Sequence, residues 1–405
     1  MSHLHPIFAF LATFLVIIVC SVLGRFRSKE LSSGRYRSID GLRGYLAFFV
    51  FLHHAAIWFL FISTGEWSAA PSNLFTHLGE ASVALFFMIT GFLFYAKILN
   101  NQSRTVDWLS FFVGRFMRMV PLYFFVIGLM LLLALVESGF HQLDSVRSVF
   151  SNVVLWLLFT IFGEPLVNTV YTARFIAGVN WSLPYEWFFY FSMPLLALSK
   201  RIRVPWYYIL LSITMLAFAA TSGAKLFYMV VFGCGMLSAV VVRSKEFCSF
   251  SNSPAASFLV VICLLLLVTG FSTAQGYSQL GLLAIVFSLI AGGATMFGAL
   301  LSRPSHILGE MSYSIYLLHG MLLFVSLKYI VGFEAVRHMN SFEYWAVIFS
   351  LVPLLVVISA VTYRLVEFPA MQQLPRAMRI LRIRAAKKAS VAHDDFSTVP
   401  TNTPQ

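Results

Sequence analysis

The chain has 405 residues, 59% of them hydrophobic and only 11% charged, with a mean hydropathy of +0.83. Soluble globular domains carry about 25% charged residues, so a water-soluble fold is excluded. The formal charge of +12 would suit a nucleic-acid binder, but Lys and Arg fall in short clusters between apolar runs, the pattern of cytoplasmic loops under the positive-inside rule.

The first apolar run, Pro6 to Gly24, is followed by Arg25, Arg27, Lys29, Arg35 and Arg37 and has no Lys or Arg before it. It reads as an anchor with its N-terminus outside rather than a cleaved signal peptide, which wants a basic n-region. Gly44 to Ser63 leads to a loop without Lys or Arg, Thr64 to Leu78, and is assigned an outward crossing. Gly79 to Leu99 returns to Lys97, Arg104, Arg115 and Arg118, and Met119 to Val136 goes out again. Val149 to Phe162 has 14 residues, short of the roughly 20 a span needs, and a crossing there would put Lys200, Arg201 and Arg203 outside. It is expected to be re-entrant or to lie on the outer surface. The run ending at Leu198 then returns inward. After it Trp206–Ala220, Leu226–Val242, Ala256–Phe271, Leu280–Leu301, Ile307–Ile330 and Tyr344–Val366 alternate out and in. The expectation is an all-α transmembrane bundle of ten core helices plus one N-terminal helix. Residues 1–37 form the N-terminal helix and basic loop, 38–370 the membrane domain, and 371–405 a basic, then disordered, tail. Cys20, Cys234, Cys248 and Cys263 lack C-x-x-C spacing and read as packing residues.

A titratable side chain inside a span is costly unless paired or hydrated, so each marks candidate chemistry. Arg43 and His54 are eleven residues apart, about three helical turns, and share one face. With Arg43 at the surface, His54 lies about 16 Å deeper, near the middle of a hydrocarbon core about 30 Å thick. His53, about 100° around the helix, suits packing. Asp40 is placed to pair with Arg43. Arg115 and Arg118, three apart, present two guanidinium forks suited to phosphates. Glu186, among Trp181, Tyr185, Trp187 and Tyr190, is expected where the chain enters from outside, as a proton-transfer partner or an orienter for a histidine. His319 suits structural hydrogen bonding as well as chemistry. No span carries two metal-ligand residues at ligand spacing on one face, so no metal site is indicated. Gly233 and Gly235 read as close helix packing.

Several of these stretches together resemble the integral-membrane acyltransferase 3 family of bacterial O-acyltransferases. Ile39-Asp40-Gly41-Leu42-Arg43-Gly44 through His54 is similar to its Arg-x10-His signature, and Arg115 with Arg118 to its Arg-x-x-Arg. Trp181, Ser182, Leu183, Glu186, Phe189 and Tyr190 follow its Trp-Ser-Leu-x-x-Glu-x-x-Phe-Tyr pattern. Ser312 to His319 resembles a Ser-Tyr-x-Ile-Tyr-Leu-x-His element, and Arg364 to Pro369 an Arg-x-x-Glu-x-Pro element. The resemblance spans about residues 38–370 and implies ten core helices. It lacks the extracytoplasmic esterase-like domain fused to many members, and the added N-terminal helix is a further departure.

The resemblance implies a multi-pass enzyme of the bacterial inner membrane. It would move an acyl group, acetyl foremost, from cytoplasmic acyl-CoA as donor substrate to a hydroxyl of an extracytoplasmic glycan or lipid-linked glycan such as lipopolysaccharide O-antigen or exopolysaccharide, with no permanently bound cofactor. Arg43, Arg115 and Arg118 would bind the acyl-CoA. His54 and Glu186 would be catalytic, His54 either as general base or as acyl carrier, and Asp40, Trp181, Ser182, Tyr190 and His319 would support them. A rival from another class is a proton-coupled transporter or flippase of an anionic or acylated lipid, using the same His and Glu as a relay.

Overall fold

A computed structural model describes residues 2–25, 36–101 and 105–383. The basic-loop residues Arg27, Lys29 and Arg35, Arg104, and the tail from Arg384 onward lie outside these described residues. Within them the chain is helical, with only two isolated β-bridges, Thr105 to Arg203 and Val167 to Val170. Among the described residues six helices are long and apolar enough to cross a membrane: Pro6–Arg25 (α1), Arg37–Thr64 (α2), Asn73–Leu99 (α3), Trp108–Glu137 (α4), Ser312–Val331 and Ser341–Ile383. Leu226–Val241 (α8) and Lys245–Ser251 (α9) would add a seventh as one span broken by a 105° bend. Val146–Leu157 (α5), Trp206–Thr221 (α7), Pro254–Gly270 (α10) and Tyr277–Gly292 (α11) are shorter apolar helices, and Ser182–Leu198 (α6) has 17 residues.

Two expected continuous runs are interrupted. The run Leu280–Leu301 stops at Gly292, because the next residue, Gly293, has φ +133°, a conformation open to glycine that ends the α-helical ladder. The run Ile307–Ile330 divides at Met311 into a short helix, Arg303–Glu310 (α12), and the helix Ser312–Val325 (α13). The α13 helix then widens into a π-turn, Ser326–Val331. The disputed segment is α5, whose 12 residues span about 18 Å, well short of the hydrocarbon core. After it the chain reverses through Phe159 and Thr160, at φ +60° and +53°. The following loop packs back on the bundle, where a Cβ on Gly320 of α13 would come within 2.3 Å of the Ile176 carbonyl carbon.

The α2 helix is the centre of the bundle, in contact with α3, α11, α12 and α13. Its motif glycines explain how. A Cβ on Gly41 would lie 2.0 Å from the Leu300 carbonyl oxygen, one on Gly44 2.6 Å from the Gly309 amide, and one on Gly309 2.0 Å from the Asp40 carbonyl oxygen. Backbone meets backbone at these points, which only residues without side chains permit. A Gly65 cap at φ +83° donates its N–H to Phe61 and closes the helix. The same device joins α3 to α8: a Cβ on Gly235 would sit 2.0 Å from the Met88 carbonyl oxygen, whereas Gly233 has nothing within 4 Å. The two glycines that looked alike therefore differ. Gly235→Val is expected to lower the thermal midpoint of the solubilised protein sharply, at a cost of about 3 kcal/mol or more. Gly233→Ala should leave it unchanged or raise it slightly, because alanine is the better helix former.

The N-terminal helix α1 is docked in the bundle against α12 and Ser341–Thr362 (α15). Phe8 stacks on Trp345 with centroids 5.3 Å apart, and the Trp345 indole donates to the His3 carbonyl at 2.7 Å.

Candidate active site

Helices α2, α3, α4, α6 and α13, together with Met371, converge on a cavity of about 350 Å3. The α2 helix contributes Arg43, α4 contributes Arg115 and Arg118, α6 contributes Ser182, Glu186 and Tyr190, and α13 contributes Ser312, Tyr313 and Tyr316. The i, i+3 spacing of the two α4 arginines does put both on one wall. The α4 register is set at its start by the Asp107 cap, whose carboxylate accepts from the Ser110 N–H at 3.0 Å.

Glu186 is the acid of this wall. Tyr190, one turn later on α6, donates a hydrogen bond to it, and Arg115, Arg43 and Arg118 all act on it electrostatically. The Arg115 guanidinium lies 4.8 Å from the centre of the Phe94 ring and 5.9 Å from that of Tyr190. Arg43 feels Asp40, Glu186 and Glu367 through space and makes no hydrogen bond or ion pair with the described residues. Its half-buried guanidinium stands on the cavity wall with donors to offer, which makes this cavity a natural anion seat. Asp40 shares with Arg43, Arg118 and His306 a second, smaller cavity of about 140 Å3. His306 belongs to the short helix α12, where burial, with Arg37 nearby, pushes its imidazole below the ordinary histidine value.

Glu367 was given no role in the sequence reading, although it belongs to the Arg364–Pro369 element. It is fully buried and lies 3.7 Å from the Arg118 guanidinium, with Ser314 donating to its other oxygen. The π-turn Tyr363–Glu367 that carries it interrupts the α-helical ladder, a distortion often found at functional sites. Arg118 also donates to the Met371 sulfur at 3.2 Å. Tyr313 and Tyr316 were likewise read only as part of a motif. The Tyr313 hydroxyl donates to the Met119 carbonyl at 2.9 Å. The Tyr316 hydroxyl is 2.8 Å from the Ser182 hydroxyl, which fastens α13 to the start of α6.

His54 and His319 form a pair beyond this cavity, on neither of whose walls they stand. Their rings are 5.0 Å apart, and His319 Nε2 is 3.0 Å from His54 Nδ1. His319 Nδ1 is 3.0 Å from the Ile315 carbonyl, and a carbonyl can only accept, so this nitrogen carries the proton. His319 Nε2 is then the acceptor. His54 Nδ1, facing both that nitrogen and the Val50 carbonyl at 3.0 Å, is protonated in turn. This assignment, made from the hydrogen-bond network, leaves His54 Nε2 with a free lone pair, the form a general base or acyl acceptor needs. Tyr316 links the two regions: it lines the arginine cavity, and its ring lies 6.2 Å from that of His319.

The structure redistributes two of the expected partnerships. Glu186 faces the arginines and Tyr190 rather than a histidine, because its position on α6 turns it toward α4. The partner of His54 is His319, because α13 packs along α2. His53 binds the Phe75 carbonyl at 2.8 Å and lies where a Cβ on Gly79 would come within 2.4 Å of its ring, a packing role. Trp181 stands apart from the cavity wall, 38% exposed, in an aromatic cluster with Tyr185 and Tyr228.

Comparison with known proteins agrees with this architecture. Nodulation protein 10 of Rhizobium leguminosarum bv. viciae is 31% identical over 180 residues, 42% of this chain and 46% of that protein, so the match spans less than half of the relative. No solved structure matches. The model of the acyltransferase domain family matches residues 36–364, a stretch that holds every cavity arginine, Glu186, both paired histidines and the core helices that carry them; the chain belongs to the acyltransferase 3 family.

Proposed function

We propose that this protein is a multi-pass O-acyltransferase of the bacterial inner membrane that takes an acyl group, acetyl foremost, from cytoplasmic acyl-CoA and passes it to a hydroxyl of an extracytoplasmic glycan. The observation that carries this reading is the continuity from the arginine cavity through Tyr316 to the His54–His319 pair. The cavity has the donors to hold an anionic head, and His54 lies about 16 Å further along α2 from Arg43. In this reading the nucleotide end stays on the Arg115 side of the cavity while the thioester arm runs past Arg43 along α2. His54 Nε2 removes the acceptor's hydroxyl proton as its oxygen attacks the thioester carbon, the C–S bond breaks, and the thiolate leaves as CoA. The alternative order has Nε2 itself attack the thioester, release CoA and pass the acyl group on. Glu186 and Tyr190 keep the arginines oriented. The sidedness rests on the Lys and Arg distribution, which supports ten core spans plus α1, the shorter helices α7, α10 and α11 being counted as crossings.

Purified protein in lipid nanodiscs, given radiolabelled acetyl-CoA and extracted surface glycan, is expected to release CoA and label the glycan covalently. Movement of a lipid or glycan in proteoliposomes without CoA release would overturn the reading in favour of a transporter.

A further inference from the structure

The arginine cavity adjoins a larger one, which in turn adjoins another. Arg115 and Phe94 also form part of the wall of a cavity of about 620 Å3 between the end of α3 and the start of α4, where Lys97, Trp108 and Ser110 stand. Asn100 belongs to that cavity and to a third, of about 590 Å3, whose charged lining is Arg37 and Arg243 with no carboxylate. Arg243 Nη1 donates to the Asn100 side-chain oxygen at 3.1 Å, so the joint between the two is built rather than accidental. Trp108 is only 3% exposed, and its indole N–H has no partner. An unpaired buried donor on a cavity wall is costly and points to an acceptor from outside the chain. The acid of this region, Asp107, is already engaged by Arg382 and by the cap of α4.

The three cavities thus form a sequence: a confined arginine end, a middle chamber with one ammonium and an unused N–H, and an outer chamber with two arginines and no counter-charge. We propose that the middle and outer cavities seat the nucleotide end of the acyl-CoA donor, with Lys97 and Arg115 on the diphosphate, the Trp108 N–H on an adjacent acceptor oxygen, and Arg37 with Arg243 on the 3′-phosphate. The inference rests on the donor proposed above and adds where its nucleotide lies. It also assigns a specificity: Arg37 and Arg243, at the far end from the histidines, read the phosphate that distinguishes CoA from dephospho-CoA.

The test is equilibrium binding of CoA and of dephospho-CoA to the purified full-length protein in nanodiscs. One lost charge-assisted contact is worth about 1.5–3 kcal/mol, so the wild type is expected to prefer CoA by about tenfold or more. In Arg37→Gln/Arg243→Gln that preference should collapse to within about twofold while affinity for dephospho-CoA is kept, a pattern that a misfolded protein does not produce. Lys97→Gln should weaken both nucleotides alike. The assignment is overturned if the wild type binds both equally or the double variant keeps the full preference. In either case binding that still depends on Arg115 leaves the donor reading standing. Absence of binding of either nucleotide to the wild type would overturn both.

Discussion

Replacing His54 with alanine is expected to lower acyl transfer by about 10²- to 10⁴-fold, the usual loss when a positioned base is removed, with the protein still folded. The residue is half-buried on the central helix, and the loss of one ring there leaves the backbone contacts of Gly41, Gly44 and Gly309 intact. His319 should behave differently. It acts by accepting from His54 Nδ1, so His319→Leu should reduce kcat by about tenfold or more with the KM for the donor unchanged. His319→Gln, whose amide oxygen can accept the same proton, should recover part of the loss. Steady-state kinetics on the three variants, with thermal unfolding as a folding control, decides the matter. Full activity in His54→Ala would remove the base from the mechanism, and equal kcat in the Leu and Gln variants would remove the hydrogen bond between the imidazoles.

The second large effect belongs to Arg118. Glu367 is completely buried 3.7 Å from its guanidinium, and one Glu367 side-chain oxygen has no hydrogen-bond partner. Removing the cation in Arg118→Ala strands a carboxylate in the membrane domain, at a cost of about 3–5 kcal/mol. The variant is therefore expected to unfold at markedly lower temperature as well as to lose donor binding. Arg118→Ala/Glu367→Gln removes the stranded charge and should regain most of the stability without regaining binding. Thermal melts and CoA titrations on the two proteins separate these roles. A double variant no more stable than the single would show that the pair does not carry the stability assigned to it.

Much of the helical architecture was legible in the sequence because membrane chains write their helices in hydropathy. The i, i+3 pair Arg115 and Arg118 and the eleven-residue interval from Arg43 to His54 translate directly into helix faces, and the structure puts the three arginines on one cavity. What escaped depends on contacts between helices. That Gly235 is jammed against Met88 while Gly233 faces nothing cannot be read from two glycines in the same apolar run. Glu367 sat at the border of a long hydrophobic segment, and only the π-turn at its position aims it at Arg118. Of the two roles open to Glu186, proton-transfer partner or orienter for a histidine, the second needs a histidine beside it, and the rotation of α6 gives it Tyr190 and the arginines instead. The ends of α11 and α12 were hidden because the residues between them are themselves apolar, so hydropathy alone ran through Gly292 and Met311.

The uneven helix lengths bear on the surrounding lipid. The α2, α3 and α4 helices have 28, 27 and 30 residues, about 40–45 Å, and project well beyond a hydrocarbon layer about 30 Å thick. The α7, α10 and α11 helices have 16, 17 and 16 residues, about 24–26 Å. Their outer faces carry exposed Leu210, Ile213, Phe258, Ile262, Leu265 and Ile285, and in the proposed ten-span reading acyl chains meet them along their whole length. A bilayer that wets both sides of the molecule has to thin by a few Å beside the short helices while keeping its normal depth beside the long ones. In that reading the protein thins its own membrane locally and is matched best by lipids whose tails yield beside the short helices.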